Sequence, residues 1–152
     1  MIKIMFVCLG NICRSPMAEF VLKDMVDKRH LSDQFEIASS ATGRLTLGSS
    51  VHHGTVKKLN EVGISCRGKR SVLFKKEDYD YYDLIVCMDR SNVKNVIKIA
   101  GGDPSEKIIR LLDLTDSPRD IADPWYTGDF EETYRDVLEG CEALLNKKGW
   151  VR

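Results

Sequence analysis

Cys8 and Arg14 are the two residues near the N-terminus whose types and spacing could carry chemistry. They lie six positions apart, in a segment that follows an apolar run and precedes a helical pattern. In such a loop successive backbone N–H groups can converge on one point, beside the partial positive charge of a helix N-terminus. The spacing therefore predicts a binding site for a tetrahedral anion such as phosphate.

Arg14 and Cys8 would have different roles at that site. The planar guanidinium of Arg14 can hold two phosphate oxygens at once, which a lysine could not match. Cys8, at the end of the apolar run, would place its sulfur beneath the phosphorus. The loop amides and Arg14 should favour the thiolate, as helix N-termini and cations do for other reactive cysteines, and Ser15 is placed to donate a hydrogen bond to it. A nucleophile is therefore expected at neutral pH without a histidine base.

The elements that must position these residues are predicted to alternate between strand and helix. Pro16 suits the first position of the helix that follows the loop. Apolar runs predict the strands, and apolar residues at helical spacing predict the helices. The predicted strands are 3–7, 35–38, 83–88 and 108–112. Predicted helices follow Pro16, cover 54–62, extend from a start within Asp89-Arg90-Ser91-Asn92 to an end at Gly101-Gly102, and begin at Phe130. Residues 39–51 and 115–128 are predicted loops. This alternation indicates an α/β fold of three layers, with a parallel sheet and helices on both faces.

Length and composition limit the organisation and the partners. The 152 residues suit a single compact domain, residues 1–152. Because Lys plus Arg and Asp plus Glu number 23 each, no global charge attracts nucleic acid or a membrane surface. No apolar stretch approaches the roughly 20 residues that span a bilayer. The five cysteines include no C-x-x-C pair, which favours a reducing cytosol. A cytoplasmic domain is therefore predicted, although secretion without a signal peptide stays open.

The loop and the helix after it resemble a known family. Cys8-Leu9-Gly10-Asn11-Ile12-Cys13-Arg14-Ser15-Pro16-Met17-Ala18-Glu19 is similar to the active-site loop of low-molecular-weight protein tyrosine phosphatases. The resemblance extends through Cys87-Met88-Asp89 and Ser91-Asn92 to Asp123-Pro124-Trp125-Tyr126 and the last helix. It implies a four-stranded, flavodoxin-like parallel sheet.

The resemblance also implies an activity. This is hydrolysis of phosphotyrosine and aryl phosphate monoesters through a phosphocysteine on Cys8, with no metal or other cofactor. The phosphate would be held by Arg14 and by a loop formed by Leu9, Gly10, Asn11, Ile12, Cys13 and Ser15. The expected partners are phosphotyrosine-containing proteins or peptides, with inorganic phosphate or vanadate as competing anions, and a monomer is expected.

Asp123 is the predicted general acid and base. A carboxylic acid should lie across from Cys8, because the tyrosyl oxygen otherwise leaves with a negative charge. Of the aspartates in or beside the 115–128 loop, Asp123 precedes Pro124, which biases it away from helical geometry. The family match points to the same residue. Trp125 and Tyr126 can supply an aromatic wall for the substrate ring, which Leu9 and Leu45 would complete.

Three positions depart from the family's pattern. Trp125 stands where most members have tyrosine, and Leu45 where many have an aromatic residue on the opposite wall. Gly68 lies near a position at which many relatives have a histidine that braces the loop asparagine. Asn11 is therefore expected to be braced by Ser39 and by backbone groups instead.

The remaining cysteines, histidines and basic clusters have less specific interpretations. In the family a thiol at the position of Cys13 can form a reversible disulfide with the nucleophile; a buried small side chain is the alternative. Cys66, Cys87 and Cys141 are interpreted as structural. His30, His52 and His53 are predicted to be solvated and to bind no metal. Solvated faces are predicted at Lys57-Lys58, Arg67-Gly68-Lys69-Arg70 and Lys75-Lys76, with steering of acidic phosphopeptides as the alternative.

Four other functions fit the sequence less well. An arsenate reductase would need two further closely spaced cysteines, whereas Cys66 and Cys87 are 21 positions apart. A phosphoarginine phosphatase would have threonine in place of Ile12. A phosphocysteine carrier of a sugar-transport system has no need of Arg14 or of a general acid. A phosphopeptide-binding module would keep affinity without turnover.

Overall fold

Four parallel strands form the centre of the structure, a computed structural model that describes residues 1–147. The strands are β1 (Ile2–Cys8), β2 (Phe35–Ala41), β3 (Leu84–Cys87) and β4 (Ile108–Arg110), in the spatial order β2-β1-β3-β4. The helices are α1 (Arg14–Lys28), α2 (His53–Glu61), α3 (Lys76–Tyr81), α4 (Arg90–Ala100), α5 (Pro124–Thr127) and α6 (Phe130–Lys147). The predicted α/β class with a four-stranded parallel sheet is confirmed. Positions 148–152 of the predicted domain lie outside the described residues.

Strand β1 is covered on both faces. Ile4 and Phe6 pack into one core with apolar residues of α1, α2 and α6. Met5 and Val7, which point the other way, pack into a second core with residues of α3 and α4. Successive side chains of a strand point to opposite faces, so an uninterrupted apolar run fits a strand buried on both sides. The predicted layers of helices on both faces of the sheet are confirmed.

The position of β1 determines where the chemistry-bearing loop lies. β1 pairs with β2 on one side and with β3 on the other, so the connections that leave β1 and β3 run toward opposite edges of the sheet. In open parallel sheets the crevice beyond the carboxyl ends of the strands at such a point is where ligands bind. Cys8 is the last residue of β1, and it is in register with Ala41 of β2.

Several predicted boundaries were wrong. β2 continues to Ala41 through residues predicted as loop, because Ser39 and Ser40 are buried and pair with β1. β4 stops at Arg110, and a 3₁₀ turn over Leu111–Leu114 follows. Helices α3 and α5 were not predicted, and Pro16 is the third rather than the first residue of α1. The short helices depend on local caps, such as the Lys75 N–H that donates to Asp78 at 2.8 Å, which apolar periodicity does not detect.

Three side chains predicted to be solvated are instead packed. The His52 ring stacks on Phe130 at 5.3 Å and meets the edge of Trp125 at 5.5 Å. Lys58 forms an ion pair with Glu131 and lies over the Tyr134 ring. Lys69 is mostly buried and lies close to Glu19.

None of the helices among residues 1–147 combines the length and the apolar character that a membrane span requires.

Gly140 is a site at which the packing of the fold can be tested. An ideal Cβ there would lie 2.3 Å from Cγ of the fully buried Leu111. Alanine favours helix by about 1 kcal/mol over glycine, but overpacking costs about 1–3 kcal/mol, so Gly140→Ala should lower the free energy of unfolding by up to about 2 kcal/mol. Urea denaturation of this variant measures the change, with the exposed Glu142→Ala as control. A Gly140→Ala protein more stable than the parent would show that α6 does not press on Leu111.

Candidate active site

The loop between β1 and α1 is held by its carbonyl groups. Thr42 and Gly43 continue the pairing of β1 with β2 past Cys8, and their N–H groups donate to the Cys8 and Leu9 carbonyls at 3.0 and 2.9 Å. The next carbonyls accept from more distant segments. The Gly10 carbonyl accepts from Thr46 Oγ1 at 2.7 Å and Ser71 Oγ at 2.8 Å, the Ile12 carbonyl from His52 N at 2.9 Å, and the Cys13 carbonyl from Thr55 Oγ1 at 3.2 Å.

These anchors determine where the loop amides point. In a trans peptide the carbonyl of one residue and the N–H of the next point in opposite directions, and no peptide bond of the described chain is cis. Carbonyls turned outward toward their donors therefore turn the following N–H groups inward. The Asn11 N–H, which follows the doubly bound Gly10 carbonyl, donates to Cys8 Sγ at 3.2 Å. The loop thus presents main-chain donors on the side of the Cys8 sulfur.

Asn11 occupies the left-handed region, with φ of 55°. Its side chain accepts from Val72 N at 3.2 Å and donates to Ser15 Oγ at 2.8 Å and Ser39 Oγ at 2.9 Å. The expected contact with Ser39 is therefore present, and a backbone group supplies the other brace. These bonds offset the strain that a non-glycine residue carries at positive φ.

Arg14 is 3% exposed and is held by groups from two other loops. One of its terminal nitrogens donates to Asp89 at 2.7 Å and to the Ile121 carbonyl at 2.8 Å, and the other lies 3.4 Å from Asp123. Burial disfavours the charge, but the negative charges of Cys8, Asp89 and Asp123 outweigh it and raise the pKa of Arg14. The guanidinium is thus a fixed cation whose orientation is set from both sides.

The two cysteines of the loop differ in their surroundings. Cys8 Sγ lies 3.0 Å from Ser15 Oγ, in addition to its contact with the Asn11 amide. Cys13 is also buried, and burial, with the neighbouring Cys8 and Asp123, raises the pKa of its thiol to about 12. Both are free thiols, so the disulfide between them stays a prediction. Cys13 is therefore a neutral thiol beside the hydrogen-bonded sulfur of Cys8.

A cavity of about 240 Å³ opens beside Cys8 and Arg14. It brings together all four residues predicted as substrate walls, Leu9, Leu45, Trp125 and Tyr126. These four side chains are exposed at the mouth, whereas the sulfur and the guanidinium are buried. Gly10, Ile12 and Cys13 also line the cavity, and so do three residues that sequence reasoning missed: Gly43, Arg44 and Thr46. Asn11 and Ser15 are not among the lining residues and support the loop from behind.

Asp123 is the candidate carboxylate that lines this cavity. One oxygen accepts from Trp125 N at 3.0 Å, which caps α5, and the other faces Arg14. Asp113 and Asp120 instead bind Arg110, at 2.8 and 2.9 Å. The N-cap of a short helix therefore holds Asp123 at the cavity wall.

Sequence reasoning assigned Asp89 only to the start of α4, and its contact with Arg14 was missed. The carboxylate has both roles, since its other oxygen accepts from Asn92 N at 2.7 Å. Parallel strands end at one edge of the sheet, so an aspartate directly after β3 was the available signal. The loop anchors Thr46, Thr55 and Ser71 had no comparable signal, because they lie 36, 42 and 61 positions from their acceptors.

Residues 3–149 match the family described as low molecular weight phosphotyrosine protein phosphatase. The chain is 40% identical over 147 residues to the low molecular weight protein-tyrosine-phosphatase YfkJ of Bacillus subtilis, covering 95% of this chain and 94% of that protein. The crystal structure of YfkJ has a TM-score of 0.94 at 39% identity, covering 97% of this chain and 94% of that one. The crystal structure of an arginine phosphatase from Drosophila has a TM-score of 0.88 at 29% identity, covering 97% and 98%.

The matches cover nearly the whole chain, and the matched region includes the loop, Arg14 and Asp123. The family model and the relative from Bacillus subtilis are both named for the removal of phosphate from phosphotyrosine in proteins. The chain therefore belongs to the low molecular weight phosphotyrosine protein phosphatase family and is a protein-tyrosine-phosphatase.

Proposed function

We propose that this enzyme hydrolyses phosphotyrosine in proteins, and aryl phosphate monoesters, through a phosphocysteine on Cys8. The observation that carries the proposal is the position of the Cys8 sulfur. It accepts from the Asn11 amide at 3.2 Å, lies 3.0 Å from the Ser15 hydroxyl, and shares one cavity with Arg14 and Asp123. A thiolate, a phosphate clamp and a proton donor are the three parts that the reaction needs.

In the first step the phosphate of the substrate binds the inward-facing amides and Arg14. The Cys8 thiolate attacks the phosphorus, the S–P bond forms, and the bond from phosphorus to the tyrosyl oxygen breaks. Asp123 gives its proton to that oxygen, so tyrosine leaves as a neutral phenol. The amides and Arg14 are already in place for the charge on the equatorial oxygens, so little reorganisation is needed.

In the second step the ionised Asp123 takes a proton from a water molecule that attacks the phosphocysteine. The S–P bond breaks, phosphate is released, and the thiolate is restored. The hydrogen bonds from Ser15 and Asn11 to the sulfur stabilise the thiolate as leaving group. Inorganic phosphate and vanadate would compete for the same amides.

The shape of the cavity supports an aromatic substrate. Trp125 and Tyr126 follow Asp123 on α5 and form one wall, and Leu9 and Leu45 form the other. A tyrosine ring can lie between them while its phosphate reaches the buried sulfur. The fully exposed Leu45 adds apolar contact without closing the mouth.

The similarity to an arginine phosphatase makes phosphoarginine the substrate to test against phosphotyrosine. Ile12 lines the cavity and offers no hydrogen bond to a guanidinium group. We expect kcat/KM for a phosphotyrosine peptide to exceed that for the matched phosphoarginine peptide by about tenfold or more, and Ile12→Thr to narrow the ratio. Phosphate release from both peptides measures it. Faster hydrolysis of phosphoarginine by the unmodified protein would reverse the assignment of substrate.

A single-turnover experiment tests the intermediate. Excess enzyme mixed with a ³²P-labelled phosphotyrosine peptide and quenched within milliseconds should carry label on the peptide that contains Cys8. The Cys8→Ser variant should show no turnover and no label, because its hydroxyl is not ionised at neutral pH, yet it should still bind vanadate. Label on any other residue, or turnover by Cys8→Ser, would disprove the phosphocysteine route.

Asp123→Asn tests the proton donor without removing the structural role of Asp123. Asparagine caps helices as well as aspartate does, so α5 and the wall should persist. Because the amide cannot donate a catalytic proton, we expect kcat for phosphotyrosine to fall by about 10²–10³-fold, and burst-phase release of p-nitrophenol, a good leaving group, to fall far less. Asp120→Asn is the matched control and should change neither rate. Equal losses of both rates in Asp123→Asn would show that another group is the acid.

A further inference from the structure

An ion pair lies behind the phosphate-binding loop, on the side away from the cavity. Lys69 Nζ is 3.5 Å from Glu19 Oε1, and the two side chains are 12% and 5% exposed. Glu19 is in α1, and Lys69 is in the segment after α2. Lys69 also donates to the Ser39 carbonyl at 2.8 Å. The reaction steps above use neither residue.

A continuous chain of hydrogen bonds joins this pair to the Cys8 sulfur. Glu19 Oε1 accepts from Ser39 Oγ at 2.5 Å, and Ser39 Oγ accepts from Asn11 Nδ2 at 2.9 Å. The same Asn11 nitrogen donates to Ser15 Oγ at 2.8 Å, and Ser15 Oγ lies 3.0 Å from Cys8 Sγ. Ser39 comes from β2, so the chain links β2, α1 and the loop.

The protons of this hydrogen-bond chain can be arranged in only one way. An ionised carboxylate only accepts, so the Ser39 hydroxyl must give its proton to Glu19. Asn11 Oδ1 is occupied by Val72 N, so the amide nitrogen faces both serines and donates to both. Ser15 Oγ then accepts from Asn11, and its own proton is left for the Cys8 sulfur. A donated proton at that position favours the thiolate.

We propose that Lys69 is a positioning residue for the phosphatase reaction, holding the Glu19 carboxylate against Ser39 so that the hydrogen-bond chain delivers the Ser15 proton to Cys8. The inference rests on the proposed function. Among residues 1–147 two lysines contact Glu19, and of these Lys69 alone contacts the oxygen that binds Ser39. Lys23 binds the other oxygen at 2.6 Å, and its side chain is 43% exposed.

The charges around both ends of the chain are consistent with this role. Burial lowers the pKa of Lys69, and the negative charges of Glu19 and Cys8 partly offset that effect. The Lys69 ammonium is therefore close enough to the loop to interact with the thiolate as well as with Glu19. The titratable groups that interact with Cys8, Glu19 or Lys69 are Cys13, Arg14, Lys23, Cys66, Tyr82 and Cys87, and Asp89 and Asp123 contact Arg14. All of them are unchanged in a Lys69 variant.

The test compares Lys69→Met with the matched control Lys23→Met, which removes the other cation from the same carboxylate. Iodoacetate alkylation of Cys8, followed across pH by the mass of its peptide and blocked by added phosphate, reports the thiolate without any turnover. We expect Lys69→Met to move the midpoint of alkylation upward by about half a pH unit or more, as lost charge and hydrogen-bond stabilisation does. The kcat for a phosphotyrosine peptide should fall about three- to tenfold with little change in KM, since the loop amides still bind phosphate.

Lys69→Arg keeps the charge and should restore the midpoint, and Lys23→Met should leave it where the parent has it. If Lys69→Met lowers stability or activity but leaves the midpoint unchanged, the pair is merely structural and the proposal is wrong. An equal shift in Lys23→Met would also overturn it. Should Lys69→Met not fold, Ser39→Ala cuts the same chain, and an unshifted midpoint in that variant refutes the idea. Because alkylation needs no substrate, a parent protein inactive on phosphotyrosine would refute the proposed function separately.

Discussion

The outward orientation of the loop carbonyls, which leaves the Asn11 N–H donating to Cys8 Sγ at 3.2 Å, is the constraint on which the rest of the site depends. The formal net charge at pH 7 is zero, so a buried anion must be stabilised locally, by fixed dipoles and by nearby cations such as Arg14. An amide N–H can turn into the loop only if the carbonyl of the same peptide group, which then points outward, finds a hydrogen-bond donor outside the loop. A buried carbonyl without a donor costs free energy. Thr46, Ser71, Thr55 and the His52 amide supply those donors. The segments that surround the loop therefore stabilise it by donating hydrogen bonds to its outward-facing carbonyls.

The sheet supplies the rigidity that this arrangement needs. β1 is buried on both faces, and its pairing with β2 continues past Cys8, so the start of the loop cannot shift without breaking the sheet. At the other end the first residue of α1, Arg14, is held by Asp89 after β3 and by the Ile121 carbonyl. Asp123, the proposed proton donor, lines the same cavity and caps a four-residue helix. Three separate loops thus meet at the carboxyl edge of one sheet.

The hydrogen-bond chain behind the loop, from Glu19 to Ser15, also orients groups toward the Cys8 sulfur. A carboxylate that only accepts hydrogen bonds gives direction to a chain of neutral groups, since each hydroxyl has a single proton to give. Glu19 has that property, and Ser39, Asn11 and Ser15 form the chain. A buried ion pair alone adds little to stability, because desolvation offsets its attraction. The Glu19–Lys69 pair is therefore better explained by its effect on the orientation of the hydrogen-bond chain than by a contribution to the free energy of folding.

Local patterns in the sequence predicted the order of the strands and the longer helices, and together with the family resemblance they selected Cys8, Arg14 and Asp123, which the structure brings into one cavity. Those features depend on apolar periodicity, on residue chemistry and on spacing within a few positions, all of which are local. The extension of β2, the short helices α3 and α5, and the packing of His52, Lys58 and Lys69 were not predictable in the same way. They depend on partners that lie far away along the chain. The tertiary structure alone decided three contacts: Asp89 with Arg14, Thr46 and Ser71 with the Gly10 carbonyl, and Lys69 with Glu19. Hydrogen bonds and ion pairs join groups that are close in space, whatever their separation in sequence.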